Sequence, residues 1–174
     1  MRRAVFLDRD GVLNDVEVRG GKPYPPPDRA SVRILPGVAR SLRDLRAAGW
    51  LTIVVTNQPD VATGLQTREG LEAIHEYLCS ALAIDAIKSC LHVDQHACDC
   101  RKPRPGMLLS AAREQNVDLG RSWMVGDRWR DVEAGHAAGC QTIWIDRGYT
   151  ERTPSCPAFT TTSLPEARDI ILAR

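Results

Sequence analysis

Short apolar runs alternate with helix-period stretches along most of this chain, and that alternation is what most limits its fold. Ala4-Val5-Phe6-Leu7, Leu51-Thr52-Ile53-Val54-Val55, Trp123-Met124-Val125 and Thr142-Ile143-Trp144-Ile145 are nearly unbroken β-prone runs. Such runs suit strands covered on both faces, as in a parallel sheet. Ile87 to Leu91 is a candidate fifth strand. Between them, residues 38–48 set Val38, Leu42 and Leu45 on one helical face and stop at Gly49. Leu71, Ile74, Leu78 and Leu82 mark a second helix; residues 107–115 and 132–138 are shorter ones, and 164–172 closes the series. Strand–helix alternation of this kind predicts a doubly wound, mostly parallel α/β sheet, in a single domain over residues 1–174. Two stretches break the rhythm: Arg19 to Asp28, rich in proline and glycine, reads as an irregular loop, and Cys90 to Pro105 as a cysteine-rich one.

The length of 174 residues is enough for a substantial core. A formal net charge of +1 supplies no global field toward nucleic acid or anionic membrane, so an anionic ligand has to be caught locally. Only Ala4 to Leu7 are apolar between the opening Met1-Arg2-Arg3 and Asp8, too short a run for a secretion signal or a membrane span. The expectation is a cytoplasmic monomer acting on a small molecule, with no nucleic-acid or membrane partner.

In an open α/β sheet ligands bind at the carboxyl ends of the strands, and polar residues stand there in three runs. Asp8 follows the first, Thr56-Asn57 the second, and Asp127 follows Trp123-Met124-Val125-Gly126. Asp8 and Asp10 are two apart, so in extended chain they point the same way, and Gly11 permits a turn. Two neighbouring carboxylates can take separate roles: Asp8, kept ionised by a divalent cation, as nucleophile, and Asp10 as general acid and base. Thr56 can donate to a phosphoryl oxygen; Lys102 offers a point charge and Arg101 a planar fork. Asp127 is a hard ligand suited to magnesium, although it and Asp131 are also ordinary helix caps.

Taken in order, Asp8-x-Asp10-Gly-Val, Thr56-Asn57, Lys102-Pro103 and Gly126-Asp127-x-x-x-Asp131 resemble the four motifs of the haloacid dehalogenase phosphohydrolases over Ala4 to Gly148. The resemblance implies a Rossmann-like core and magnesium-dependent hydrolysis of a phosphomonoester through an aspartyl-phosphate on Asp8, with Asp10 as acid and base. It also implies that Thr56 and Lys102 position the phosphoryl group, and that magnesium is held by Asp8, the backbone carbonyl of Asp10, and Asp127.

Cys90-x-His92-x5-Cys98-x-Cys100 offers three thiolates and one imidazole, a closed tetrahedral set for a structural zinc. His96 is the second choice of nitrogen ligand. Together with Arg101-Lys102-Pro103, this loop resembles the group containing the heptose 1,7-bisphosphate and histidinol-phosphate phosphatases. Asp8-Arg-Asp-Gly-Val-Leu-Asn14, Thr56-Asn-Gln58 and Lys102-Pro-x-Pro-Gly-Met107 lean toward the heptose enzymes, while Pro59-Asp60 departs from their pattern. Membership implies Asn57, Arg101 and Arg128 as substrate-binding residues, and a small phosphorylated metabolite, a sugar bisphosphate, as substrate. Neither interval between motifs has room for a cap domain, so an open crevice is expected, edged by residues 15–33, 59–66 and 91–102.

Overall fold

The computed structural model describes residues 1–174. Six parallel strands form the sheet: β1 (Arg3–Leu7), β4 (Trp50–Asn57), β5 (Ala86–Cys90), β6 (Trp123–Gly126), β7 (Gln141–Ile145) and β8 (Phe159–Thr161). A separate antiparallel hairpin pairs β2 (Glu17–Arg19) with β3 (Lys22–Tyr24). Five helices intervene: α1 (Val38–Ala47), α2 (Arg68–Ala81), α3 (Gly106–Gln115), α4 (Trp129–Ala138) and α5 (Leu164–Leu172). No helix is long and apolar enough to cross a membrane.

Side-chain alternation along the strands divides the core in two. Val5, Leu7, Val54, Val125 and Ile143 meet Leu42, Leu45, Ile74, Leu78, Leu164 and Ile171 from α1, α2 and α5 on one face. Ala4, Phe6, Ile53, Val55 and Met124 meet Met107, Leu108, Ala111 and Ala134 from α3 and α4 on the other. Both faces of the central strands are therefore dry, which is why their sequences run apolar without a break. Leu42, Leu45, Ile74 and Leu78 are fully buried, and truncating one such side chain to alanine typically costs about 2–5 kcal/mol.

The strand order β5-β4-β1-β6-β7-β8 is that of the dinucleotide-binding folds, with the chain reversing direction beside β1. The crevice outside the carboxyl ends of β4, β1 and β6 follows from that reversal. Two differences from the sequence reading stand out. The stretch expected as irregular loop overlaps the β2–β3 hairpin, turned by Gly20 and Gly21 at φ +56° and +75°. A Gly-Gly pair supplies the two left-handed positions that a tight hairpin turn needs. Its strands are only three residues long and mostly exposed, so no alternation announces them. The edge strand β8 was likewise not expected; at three residues it is too short to show an alternation.

Candidate active site

Asp8 sits just beyond β1, Thr56 and Asn57 are the last residues of β4, and Asp127 follows β6. Gly11, at φ +81°, turns the chain away after Asp10; a Cβ there would lie 1.9 Å from Asp127 Oδ2, so only glycine lets the two segments close. Gly126 does the same for α4: a Cβ on it would stand 2.1 Å from the Cβ of Asp131. The result is three buried carboxylates, Asp8, Asp127 and Asp131, whose oxygens lie within 4.8 Å of one another.

Lys102 enters this cluster from the loop before α3, with only 2% of its surface exposed. Its Nζ donates to Asp8 Oδ1 at 2.9 Å and to the Val55 carbonyl at 2.7 Å, and stands 2.6 Å from Asp131 Oδ1. Burial opposes charge on this lysine, but Asp131 and Asp8 outweigh it and hold the ammonium charged. One cation cannot neutralise three carboxylates. Burial, against the partial relief from Lys102, pushes Asp8 up to about 6, with repulsion from Asp131 and Asp10 adding to the rise. Asp127 is raised well above the carboxylate range by burial and by its repulsion with Asp8 and Asp131. Tyr149 donates to Asp127 Oδ2 at 2.8 Å, but Oδ1 is buried without a partner. A surplus of buried negative charge and an orphaned carboxylate oxygen fit a small hard cation. Lys102→Met is expected to lower stability by about 3 kcal/mol or more in chelator, since it strips the buried counter-charge paired with Asp8 and Asp131. Urea unfolding measures it, and an unchanged midpoint would refute this description of the cluster.

Asp10 is tied differently. Arg9, fully buried, donates to both of its carboxylate oxygens, at 3.1 and 2.9 Å. Asn14 and Gln58 add bonds of 2.9 and 2.8 Å. Gln58 also bonds Thr56 Oγ1, and the His75 ring accepts a further contact from Arg9. His75 is pulled down to about 4, first by burial and then by the Arg9 charge. Neutral, it can serve as an acceptor. The sequence reading did not single out Arg9, Asn14 or Gln58 individually, and it gave Asp131 a capping role and a place in the fourth motif but no bond to Lys102. Asp131 does cap α4 through Oδ2 on Arg128 N–H, while its other oxygen holds Lys102.

The cleft over this cluster, about 240 Å³, is lined by Asp8, Asp10, Thr56, Asn57, Lys102 and Asp131 and by two arginines, Arg128 and Arg130. Its rim carries Val16, Pro23, Tyr24 and Pro25 from the hairpin region and Pro59, Asp60 and Leu65 from the segment after β4. Asn57 exchanges two 3.1 Å hydrogen bonds with the backbone of Lys102 and so fixes that loop. Arg101 is not where its place beside Lys102 suggested. Its guanidinium turns away from the cleft to Asp94 at 2.6 Å and to the His92 carbonyl at 3.1 Å. Arg130, which the sequence reading passed over, lines the cleft instead.

Behind that loop, Cys90, His92, Cys98 and Cys100 converge. Cys100 Sγ is 3.1 Å from Cys90 Sγ, 3.4 Å from Cys98 Sγ and 3.3 Å from His92 Nδ1, and Cys90 Sγ is 3.6 Å from both Cys98 Sγ and His92 Nδ1. These spacings are far too long for disulfides and close to the edges of a tetrahedron with bonds of about 2.0–2.3 Å to a central ion. His96 Nδ1 instead accepts from the Val93 N–H.

A family model described as HAD-hydrolase-like matches residues 99–167. A D-glycero-beta-D-manno-heptose-1,7-bisphosphate 7-phosphatase of Rhodopseudomonas palustris is 39% identical over 150 residues, covering 79% of this chain and 80% of that protein. Its Vibrio cholerae counterpart is 35% identical and covers 96% of this chain and 93% of that protein. The crystal structure of D,D-heptose 1,7-bisphosphate phosphatase from B. bronchiseptica, complexed with magnesium and phosphate, superposes with a TM-score of 0.84 at 30% identity, covering 98% of both chains. With relatives this similar along nearly their whole length, and with the motif residues gathered at the strand ends, the chain belongs to the HAD-like phosphatases.

Proposed function

We propose that this phosphatase removes one phosphate from a sugar bisphosphate, D-glycero-D-manno-heptose 1,7-bisphosphate, at its C7 position. The observation that carries the reading is the convergence of Asp8, Asp10, Lys102 and Asp127 at one crevice, in a chain 35–39% identical to phosphatases of that name. Asp8 attacks the phosphorus while Asp10 gives its proton to the departing sugar oxygen, leaving the phosphoryl group on Asp8. Asp10 then takes a proton from water as it attacks the aspartyl-phosphate, and inorganic phosphate leaves. Lys102 and Thr56 hold the phosphoryl oxygens; Arg9, Asn14 and Gln58 fix the Asp10 carboxyl so that it can serve both steps. Magnesium, which Asp8, the Asp10 carbonyl and Asp127 would hold, supplies positive charge to the cluster and the phosphoryl oxygens. Zinc on Cys90, His92, Cys98 and Cys100 would be structural.

Phosphate release is the test, with heptose 1,7-bisphosphate anomers, histidinol phosphate, sugar monophosphates and an aryl phosphate compared in magnesium. Preference for the heptose bisphosphate is expected. Cleavage of the aryl phosphate alone would end the heptose assignment, and preference for histidinol phosphate would replace it.

The raised carboxylates set a pH dependence. Their neutral forms favour the metal-free fold at low pH, and that contribution is lost as pH rises through about 6, where Asp8 ionises. Magnesium needs the ionised forms. The gain in thermal midpoint from millimolar magnesium should therefore be small near pH 5 and grow toward about pH 7.5. A gain independent of pH in calorimetry would contradict it.

A further inference from the structure

We infer that Tyr149 is a specificity-determining residue of the metal site: by holding one oxygen of Asp127 it limits that carboxylate to ligation through the other, which favours magnesium over calcium. The inference rests on the magnesium reading above and deepens it.

The three buried carboxylates differ in how many oxygens they keep open. Asp131 has both engaged, Oδ1 at 2.6 Å from Lys102 Nζ and Oδ2 accepting from the Arg128 N–H at 3.0 Å. Asp8 accepts from Lys102 Nζ on Oδ1 alone, at 2.9 Å. Asp127 accepts one hydrogen bond on its side chain, from the Tyr149 hydroxyl to Oδ2 at 2.8 Å, and Oδ1 is the buried oxygen without a partner. The Gly11 turn crowds Oδ2 from a second side: a Cβ on Gly11 would lie 1.9 Å from that oxygen and 2.9 Å from the Tyr149 hydroxyl. Asp8 and Asp127 therefore each present one open oxygen. Magnesium is suited to that, because it takes single oxygens in a tight octahedron and keeps waters elsewhere. Calcium takes about six to eight oxygens and readily accepts both from one carboxylate.

Asp127 is held at both ends. Trp144, from β7, donates its Nε1–H to the Asp127 carbonyl at 3.0 Å and fixes the main chain, while Tyr149 fixes the carboxyl plane. Helix capping does not account for the Asp127 carboxylate, since Asp131 supplies the cap of α4. The half-buried Tyr149 lies in the segment after β7, and that segment is tied down without its hydroxyl. The Gly148 N–H donates to Asp146 Oδ1 at 2.9 Å, and the Thr150 N–H to the Gly21 carbonyl in the hairpin turn, also at 2.9 Å. Removing the hydroxyl alone leaves these anchors in place and releases Asp127 Oδ2. Partners of this kind, bonded to a ligand rather than to the ion, orient the ligand and tune what it binds.

The experiment compares wild type, Tyr149→Phe, Tyr149→Leu and Asp127→Asn. Each protein, dialysed free of magnesium and calcium, is titrated calorimetrically with either cation alone at about pH 7.5, where the ligand carboxylates can ionise. Tyr149→Phe is expected to weaken magnesium binding about tenfold while calcium binding holds or tightens, so the ratio of the calcium to the magnesium dissociation constant falls by about tenfold or more. Tyr149→Leu should shift that ratio equally and lose thermal midpoint as well, because it also removes the ring. In phosphate release, Tyr149→Phe should need more magnesium for half-activation and recover kcat when magnesium is saturating. Equal weakening of both cations, the result of a merely structural role, would overturn the inference. So would an unchanged ratio in Tyr149→Phe, including one where only Tyr149→Leu shifts it. A wild type that binds magnesium without discriminating against calcium would overturn the inference and leave the magnesium reading standing. A wild type that binds neither cation, or an Asp127→Asn that binds magnesium as wild type does, would sink the magnesium reading and the inference with it.

Discussion

Asp8→Asn is expected to lower phosphate release by about 10⁴-fold or more while making the metal-free protein more stable. The two effects have one cause. Asp8 is a buried carboxylate crowded by Asp131 and Asp10 and only partly relieved by Lys102. In the absence of a cation its charge works against the fold, and an amide of the same shape removes that charge together with the nucleophile. Sites built for chemistry commonly carry this trade of stability for function. Thermal unfolding in chelator at about pH 7.5 should give a higher midpoint for Asp8→Asn than for wild type, and single-turnover assays should show no burst of released sugar. Asp10→Asn makes the contrast. It keeps the nucleophile but removes the proton donor, so turnover should fall by about 10²–10⁴-fold, with no rise in the metal-free midpoint, because Asp10 is matched by Arg9. Undiminished hydrolysis by Asp10→Asn would remove Asp10 as general acid and base and overturn the mechanism proposed for this site.

Much of this arrangement was legible before the structure, for a physical reason. Strands dry on both faces have to be apolar, so the first polar residues after them, Asp8 and Asp127, fall at the carboxyl edge of the sheet. The family-model match and the heptose phosphatase relatives agree with the resemblance read from those motifs. What escaped were side chains whose role depends on direction rather than position. Arg101 and Lys102 are consecutive, yet one is buried among carboxylates and the other turns to Asp94. Arg130 reaches the same cleft from α4, and no local pattern connects it to Lys102. Asp131 read as a cap because it is one; its second oxygen, on Lys102, is a tertiary contact. Arg9 lay in plain view between the two aspartates, but its complete burial follows from α2 closing over it with His75. The hairpin was missed because six mostly exposed residues around a Gly-Gly turn carry no hydrophobic alternation.

The second large effect is expected at the cysteine loop. Residues 91–102 include few buried side chains apart from Lys102, and most of those between His92 and Asp99 are exposed. Hydrophobic burial therefore does little to order the backbone that delivers Lys102 to Asp8. Ordering a residue costs about 1–2 kcal/mol of conformational entropy, and the Arg101–Asp94 pair is too exposed to offset that over the whole loop. The four converging ligands are the remaining candidate. Burial pushes the Cys90 thiol up to about 12, and its bond with Cys100 works in the same direction, so without metal Cys90 stays a neutral thiol that holds its neighbours only weakly. Zinc, if bound as proposed, replaces those contacts with bonds to all four residues. Cys100→Ser, or exhaustive chelation, should then release about one equivalent of zinc and loosen residues 91–102 in hydrogen exchange. Activity should drop by about a hundredfold or more through misplacement of Lys102. Far-UV dichroism should change little, because both apolar clusters pack against the sheet without the exposed part of this loop. That pattern separates a local clamp from a metal on which the whole fold depends: global unfolding on chelation would make zinc a requirement of the sheet itself. Metal analysis finding no zinc, with Cys100→Ser fully active, would leave the loop ordered by the protein alone and remove zinc from the proposal.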